Sequence, residues 1–346
     1  MQAITIVPGQ ANSVALVEMP EPLSQEGSIL VRALNLGVCG TDFELIAGDY
    51  GWPPAGSPRL ILGHESLGMV ERASEGSDFN PGDLLVGIVR RPDPKPCVAC
   101  AVGEWDMCRN GLYTERGIKE KHGFGAEHWR IEPEFAIKVE PELREVGILI
   151  EPASVLAKAW EHIEHIGRRA HWRPRPLLVT GAGPIGLLAA FMGRQRGFEV
   201  YVLDQMIDGP KPKLVEDLGA RYVTGPIAGM GFAPDVVIEC TGAACVLRDS
   251  VLHLNSGGIL AVVGSSAHNQ TVQLNVAEWN RSMVLGNTVT FGVVNANRRH
   301  YEHAADALRR ASRNWLRSLI TRREPLANWR AAFERRPGDV KVVIDF

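Results

Sequence analysis

No apolar run in this sequence approaches the ~18 residues that a helix needs to cross a bilayer. The opening MQAITIVPGQ lacks the basic-then-apolar order of a secretory signal, so none is expected. Charge of one sign is missing too: a net charge of −3 and a pI near 6.4 give no general attraction to nucleic acid or to a membrane surface. Cysteine is scarce, six in 346 residues, and three are bunched at Cys97, Cys100 and Cys108. That pattern excludes a disulfide scaffold and, without a secretory signal, suggests metal ligation in the cytoplasm. Internal repeats and low-complexity stretches are also missing. What remains is the composition of a soluble globular protein, 45% apolar and 22% charged, with a length that suggests two domains.

One stretch departs from the charge balance. Between Arg298 and Arg336 there are eleven arginines against four acidic residues. Arg309, Arg310, Arg313 and Arg317 fall at helical spacing, which reads as a solvated helix face or a contact in a homo-oligomer, ahead of a phosphate site.

Along the chain, residues 1 to about 150 carry short apolar runs broken by Gly and Pro (SILVRAL, LGMVERA, DLLVGIV, FAIKV), the pattern of an antiparallel β domain. From Pro152 the period changes. Ala153, Leu156, Ala157, Trp160 and Ile163 recur at three and four residues and predict an amphipathic helix. Beyond it, LLVT, EVYVLD, DVVIEC and GILAVVG alternate with helical segments, and VLGNTVTFG is read as a sixth strand. Apolar strands alternating with helices specify βαβ units around a parallel sheet, hence an α/β fold. A helix in RHYEHAADALRRA and a strand in VKVVIDF follow.

LLVTGAGPIG sets Gly181, Gly183 and Gly186 at G-x-G-x-x-G spacing, after a strand and at the start of a helix. Such glycines serve a tight turn, close approach of a pyrophosphate and close packing of helix on strand, while the helix N-terminus with Pro184 and Ile185 offers unpaired N–H groups. The next strand ends in Asp204, placed to accept both hydroxyls of an adenosine ribose and to repel a 2′-phosphate. NAD is therefore the favoured cofactor. Lys211 and Lys213 close by leave NADP open.

A catalytic zinc needs about three N, S or O ligands and an open position. Cys39 in GVCGTD, His64 with Glu65 in LGHESLG, and Glu151 before the predicted helix offer such donors. Taken singly, Cys39 reads as a small buried hydrophobe, His64 as a core histidine and Glu151 as a carboxylate at a helix N-terminus.

GVCGTDFELIAG, LGHESLGMVERASEGSDFNPGDLLV and GAGPIG together resemble the zinc-containing medium-chain dehydrogenase/reductase family over nearly the whole chain. The resemblance implies a GroES-like, β-rich catalytic domain over 1–152, a Rossmann doubly wound domain over 153–294, and a return to the catalytic domain over 295–346. It implies Cys39 and His64 as zinc ligands with Glu65 and Glu151 alternating or additional, and Thr41 and Glu65 as catalytic side chains, Thr41 relaying the substrate proton. RRP at 90–92, YTERGI at 113–118, HGF at 122–124 and GVVNANRRH at 292–300 resemble glucose and related aldose dehydrogenases. That likeness implies oxidation of a sugar at C1 to a lactone, with Glu115, Glu151 and Asn295 toward the sugar and Asn295 also toward the nicotinamide. On residue type alone, Glu115 is a loop charge and Asn295 a turn residue.

The cysteine lobe departs from the family. Cys97, Cys100 and Cys108 match the last three positions of C-x2-C-x2-C-x7-C, but the first is Pro94, which has no donor. Asp93 or Asp106 as fourth ligand of a structural zinc, or loss of tight binding, both stay open. Two alternatives complete the expectations: a polyol or secondary-alcohol dehydrogenase on the same scaffold, and a nucleotide-binding protein without catalysis.

Overall fold

The computed structural model describes residues 1–265 and 271–346. It divides into two compact units, 1–154 with 295–346, and 155–294.

The first unit is built on a seven-stranded sheet. Its path runs Ala136–Val139, Leu84–Gly87, Glu65–Arg72, Ile29–Val38, Lys341–Asp345 and Ile320–Pro325, with His128–Ile131 also paired to Ile29–Val38. The long strand Ile29–Val38 is the spine, because its apolar residues are buried on both sides of the pleat. The expected antiparallel order holds for most neighbours. Within residues 1 to about 150 the exception is Thr114–Arg116, parallel to Glu120–Lys121; beyond that span, Ile320–Pro325 also runs parallel to Lys341–Asp345. At the end of the spine the chain turns into the helix Gly40–Ala47. Cys39 is its N-cap and Asp42 accepts the Cys39 N–H at 2.8 Å, so the cysteine is fixed by a reciprocal cap.

The second unit is a six-stranded parallel sheet in the order Arg221–Val223, Glu199–Leu203, Pro176–Thr180, Val236–Glu239, Ile259–Val262, Val289–Gly292. The strand order reverses at Pro176–Thr180, which makes the crevice beyond the carboxyl ends of Pro176–Thr180 and Val236–Glu239 the natural ligand position of such a sheet. Leu178, Val237, Val251, Leu254 and Leu260 pack its core.

Two expectations need correction. In VLGNTVTFG the first three residues belong to the helix Val276–Gly286, which Asn275 caps by accepting from Glu278 N; Asn287 ends it with φ +50°, and the strand is only Val289–Gly292. The arginine stripe is not one helix face. The helix Arg298–Arg309 stops, and Ser312 caps a second helix, Arg313–Leu319. Arg309 and Arg310 both pair with Asp306, Arg313 donates to the Leu308 carbonyl, and Arg317 pairs with Glu145, so the charge is consumed locally.

The glycine loop shows why each position tolerates what it does. Gly181 has φ +88°, and a Cβ on Gly186 would lie 1.7 Å from the Gly181 carbonyl oxygen, whereas one on Gly183 would meet nothing within 4 Å. Gly186→Ala should therefore lose ~1–3 kcal/mol in urea unfolding, the usual cost of overpacking. Gly183→Ala should stay within about 0.5 kcal/mol of the parent and instead weaken dinucleotide binding, read by fluorescence titration.

Candidate functional site

Two strands and a helix of the first unit bring the expected zinc donors together. Cys39 follows the spine strand, and His64 directly precedes the neighbouring strand, which Glu65 opens. Glu65 faces Gly37 across the pair. The ligand atoms of Cys39, His64 and Glu65 all lie within 4.8 Å of one another. Zinc bonded at about 2.0–2.3 Å to tetrahedral N, O and S donors holds them roughly 3.5 Å apart, so a small contraction suffices. A side chain on Gly37 would occupy the place of the Glu65 carboxylate, since its Cβ would come within 2.0 Å of Oε2. The glycine before Val38 is thus a requirement of the site.

The electrostatics ask for a cation. Asp42 Oδ1 and His64 Nδ1 are buried without a hydrogen bond and lie 3.8 Å apart. This is the carboxylate behind a histidine that orients metal-binding imidazoles. Burial works against a charged His64. The hydrogen bond to Cys39 and the charges of Asp42, Cys39 and Glu151 outweigh it, and the imidazole pKa stands well above 6.5. Glu151, in the first turn of the helix Ile150–Gly167, is raised to about 7 by burial, and by Glu65 and Asp42 against the pull of His64 and Lys341. Glu151 thus opens a helix, and its charge acts on His64. Its oxygens are not part of the Cys39–His64–Glu65 cluster. Soft thiolate, imidazole and carboxylate donors in one buried, negative pocket fit a zinc ion.

Lys341 was not anticipated. Fully buried in the strand Lys341–Asp345, it forms an ion pair with Glu65 and donates to the Val38 carbonyl at 2.9 Å. Burial lowers its pKa, but Glu65, Cys39 and Glu151 overcompensate and raise it. The signal was present: a lysine inside the apolar run VKVVIDF has no solvated face to occupy.

Thr41 lies in the first turn of the capped helix and takes part in a hydrogen bond with the Tyr50 phenol. Glu115 and Asn295 come together. Asn295 Nδ2 donates to Glu115 Oε1 at 2.6 Å, and the same oxygen accepts from Arg90 Nε and Nη2 at 3.0 and 2.9 Å. Glu115 is therefore a buried, doubly held carboxylate rather than a loop charge. Asn295, with φ +60°, has the left-handed backbone of a turn residue.

The thiols of Cys97, Cys100 and Cys108 also cluster within 4.8 Å. Hydrogen bonds from the Arg109 and Cys100 amides bring Cys97 down to about 6, while burial pushes Cys100 up to about 11. Neither aspartate joins the cluster. Asp106 accepts from Asn297 Nδ2 at 2.9 Å, and Asp93 takes the Lys95 amide on one oxygen, leaving the other buried without a partner.

In the second unit, Gly183 caps the helix Pro184–Gln195, with Pro184 and Ile185 in its first turn. Asp204 falls just past the strand Glu199–Leu203 rather than within it. Its Oδ2 accepts from Ala182 N at 2.7 Å and from Lys211 Nζ at 3.0 Å, and its Oδ1 accepts from Met206 N. Burial raises its pKa, yet these donors lower it on balance, so it is ionised. Lys213 is committed to Asp217 instead.

The family described as "Glucose dehydrogenase C-terminus" matches residues 144–346, and "Alcohol dehydrogenase GroES-like domain" matches 25–141. The curated glucose 1-dehydrogenase of Methanocella arvoryzae is 38% identical, covering 100% of this chain and 99% of its own. Glucose 1-dehydrogenase 2 of Vulcanisaeta moutnovskia is 36% identical at the same coverage. Among solved structures, Haloferax mediterranei glucose dehydrogenase, in complex with NADP, Zn and gluconolactone, superposes with a TM-score of 0.92 at 31% identity, covering 100% of this chain and 99% of that one.

The zinc-donor cluster yields a pH test. His64 and Glu151 both hold protons above their ordinary values of 6.5 and 4.5. In the metal-free protein the folded state therefore binds more protons than the unfolded one, and stability falls as pH rises from about 5 toward 8. Melting temperatures of chelator-stripped protein across that range should drop with pH. Zinc competes with those protons, so the loaded protein should lose that slope.

Proposed function

Since the chain belongs to the zinc-containing medium-chain dehydrogenase/reductase family, we propose that it oxidises an aldose of the glucose type at C1 to the lactone. Hydride passes to a nicotinamide dinucleotide, and the hydroxyl proton is taken up by the protein. The carrying observation is the buried Arg90–Glu115–Asn295 network, together with relatives named glucose 1-dehydrogenase over the full length.

Zinc, when bound, polarises the sugar hydroxyl and lowers its pKa. Cys39 and His64 would hold it, with Glu65 and Glu151 as alternating or additional carboxylates. Thr41, in its hydrogen bond with Tyr50, receives the hydroxyl proton and passes it outward. Glu115 and Asn295 take sugar hydroxyls, which must find partners once they leave water. Gly181, Gly183, Pro184, Ile185 and Gly186 cradle the pyrophosphate, and Asp204 takes the adenosine ribose.

In this reading, 1–152 with 295–346 carries the chemistry and 153–294 the dinucleotide. Cys97, Cys100 and Cys108 would hold a second, structural zinc. Free thiols in such a cluster suit a reducing compartment, and we place the protein in the cytoplasm as a homo-oligomer. No helix among the described residues is long and apolar enough to cross a membrane.

Glu115→Ala should lower kcat/KM for the preferred aldose by ~1–3 kcal/mol, the cost of leaving a buried hydrogen-bonding partner unsatisfied. Turnover of a small secondary alcohol should change little. Preference for aliphatic alcohols over every aldose in a panel would end the sugar assignment and leave the zinc cluster untouched.

The cofactor choice turns on opposed charges, because Asp204 repels a 2′-phosphate and Lys211 attracts one. With Lys211 already neutralised by Asp204, NAD should be used at least as well as NADP. Asp204→Asn frees the lysine and should shift the ratio of kcat/KM values toward NADP by about tenfold (1.4 kcal/mol) or more.

A further inference from the structure

Outside the zinc cluster, the first unit buries a group of cations with too little negative charge. Arg116, 1% exposed, donates from Nη1 to the His122 carbonyl at 3.2 Å and from Nη2 to the Arg130 carbonyl at 2.5 Å. Its Nε has no partner. No carboxylate among the described residues lies within ion-pair distance of it. The nearby carboxylate, Glu132, is already shared by Arg91 at 2.9 Å and Lys121 at 3.2 Å. Arg116, Arg91 and Lys121 thus gather around Glu132, and for Arg116 the only further attraction comes from the more distant Glu26. The titration behaviour agrees: burial, then repulsion by Arg91, depresses Arg116 to about 9, and burial and Arg116 lower Lys121. Glu132 falls to about 2, because Arg91 and Lys121 overcome the effect of burial. The Phe124 ring, 5.2 Å from the guanidinium, offers a cation–π contact but no counter-charge.

Arg116 lines a cavity of about 190 Å³ together with His122, Trp129 and Arg130. His122 Nδ1 accepts from Ile61 N at 3.2 Å, so in the neutral ring Nε2 carries the proton and is a donor. Burial lowers the His122 pKa and keeps the ring neutral. The Trp129 indole N–H is buried without an acceptor. Two carboxylates share the lining and are occupied elsewhere. Glu26 accepts from Leu23 N at 2.9 Å, and Glu21 faces the Met1 ammonium at 3.8 Å and His128 at 3.5 Å.

We propose that this cavity is a binding site for a small oxyanion of the phosphate or sulfate kind, taken by the Arg116 guanidinium with His122 and Trp129 as neutral donors. A buried charge is tolerated only when it is paired and hydrogen-bonded, and a tetrahedral oxyanion supplies both the charge and the acceptors for Arg116.

The test is equilibrium dialysis of radiolabelled inorganic phosphate against the zinc-loaded enzyme saturated with dinucleotide, at fixed ionic strength in chloride. One saturable site per chain is expected, with sulfate competing and a matching rise in melting temperature. Arg116→Met should weaken binding at least tenfold. If that variant does not fold, the double variant His122→Gln, Trp129→Phe should weaken it several-fold while keeping the guanidinium. Absence of saturable binding to the parent, or undiminished binding in the variants, overturns the proposal. So does release of the phosphate by dinucleotide or by removal of zinc, since either result assigns it to the cofactor or metal site.

Discussion

One buried contact ties the first unit together: the Lys341 ammonium between the Glu65 carboxylate and the Val38 carbonyl. Leaving either charge unpaired in that interior costs several kcal/mol, so the three strands that carry Lys341, Val38 and Glu65 are held in a single register. Register in turn fixes chemistry. Gly37 must oppose Glu65 to leave room for the carboxylate, and Cys39 then follows two residues on, at the start of a capped helix. The pair also gives the Glu65 carboxylate a fixed cationic partner. Its carboxylate has a cation available whether or not a metal takes it.

Much of this was legible in the residues, for physical reasons that differ from place to place. The parallel sheet was visible because strands covered on both faces carry near-continuous apolar runs, as in PLLVT. The glycine loop was visible because Gly186 admits no side chain at all. Cys39 and His64 needed company to be read as ligands, and the fold supplies it from segments far apart in sequence. The misreadings have equally specific causes. Val284 and Leu285 looked like strand residues, but the Asn275 cap and the left-handed Asn287 decide the helix boundaries. The arginines looked like one stripe because spacing alone does not reveal the Ser312 cap that starts a new helix. The partner that explains Lys341, a carboxylate on another strand, appears only in three dimensions.

Glu115 and Asp204 illustrate a common device. Each is a carboxylate expected to meet a ligand's hydroxyls, and each is already anchored by a cation and by amide donors, Arg90 with Asn295 for one and Lys211 with two backbone N–H groups for the other. The anchors keep both groups aimed, and those on Asp204 hold it ionised, so little rotamer entropy is lost when a sugar or ribose arrives. They also explain why a lone acidic residue in such a sequence is informative only with its partners.

The connectivity of the first unit has a consequence for how the protein is made. Val38 and Lys341 are 303 positions apart, and the intervening chain includes the whole segment 155–294. At translation rates of about 5–20 residues per second, Glu65 waits on the order of half a minute on the ribosome before its cation is synthesised. Through that interval the donors Cys39, His64 and Glu65 exist without the strand that balances their charge. The charge balance of the centre is therefore among the last features of the first unit to be completed.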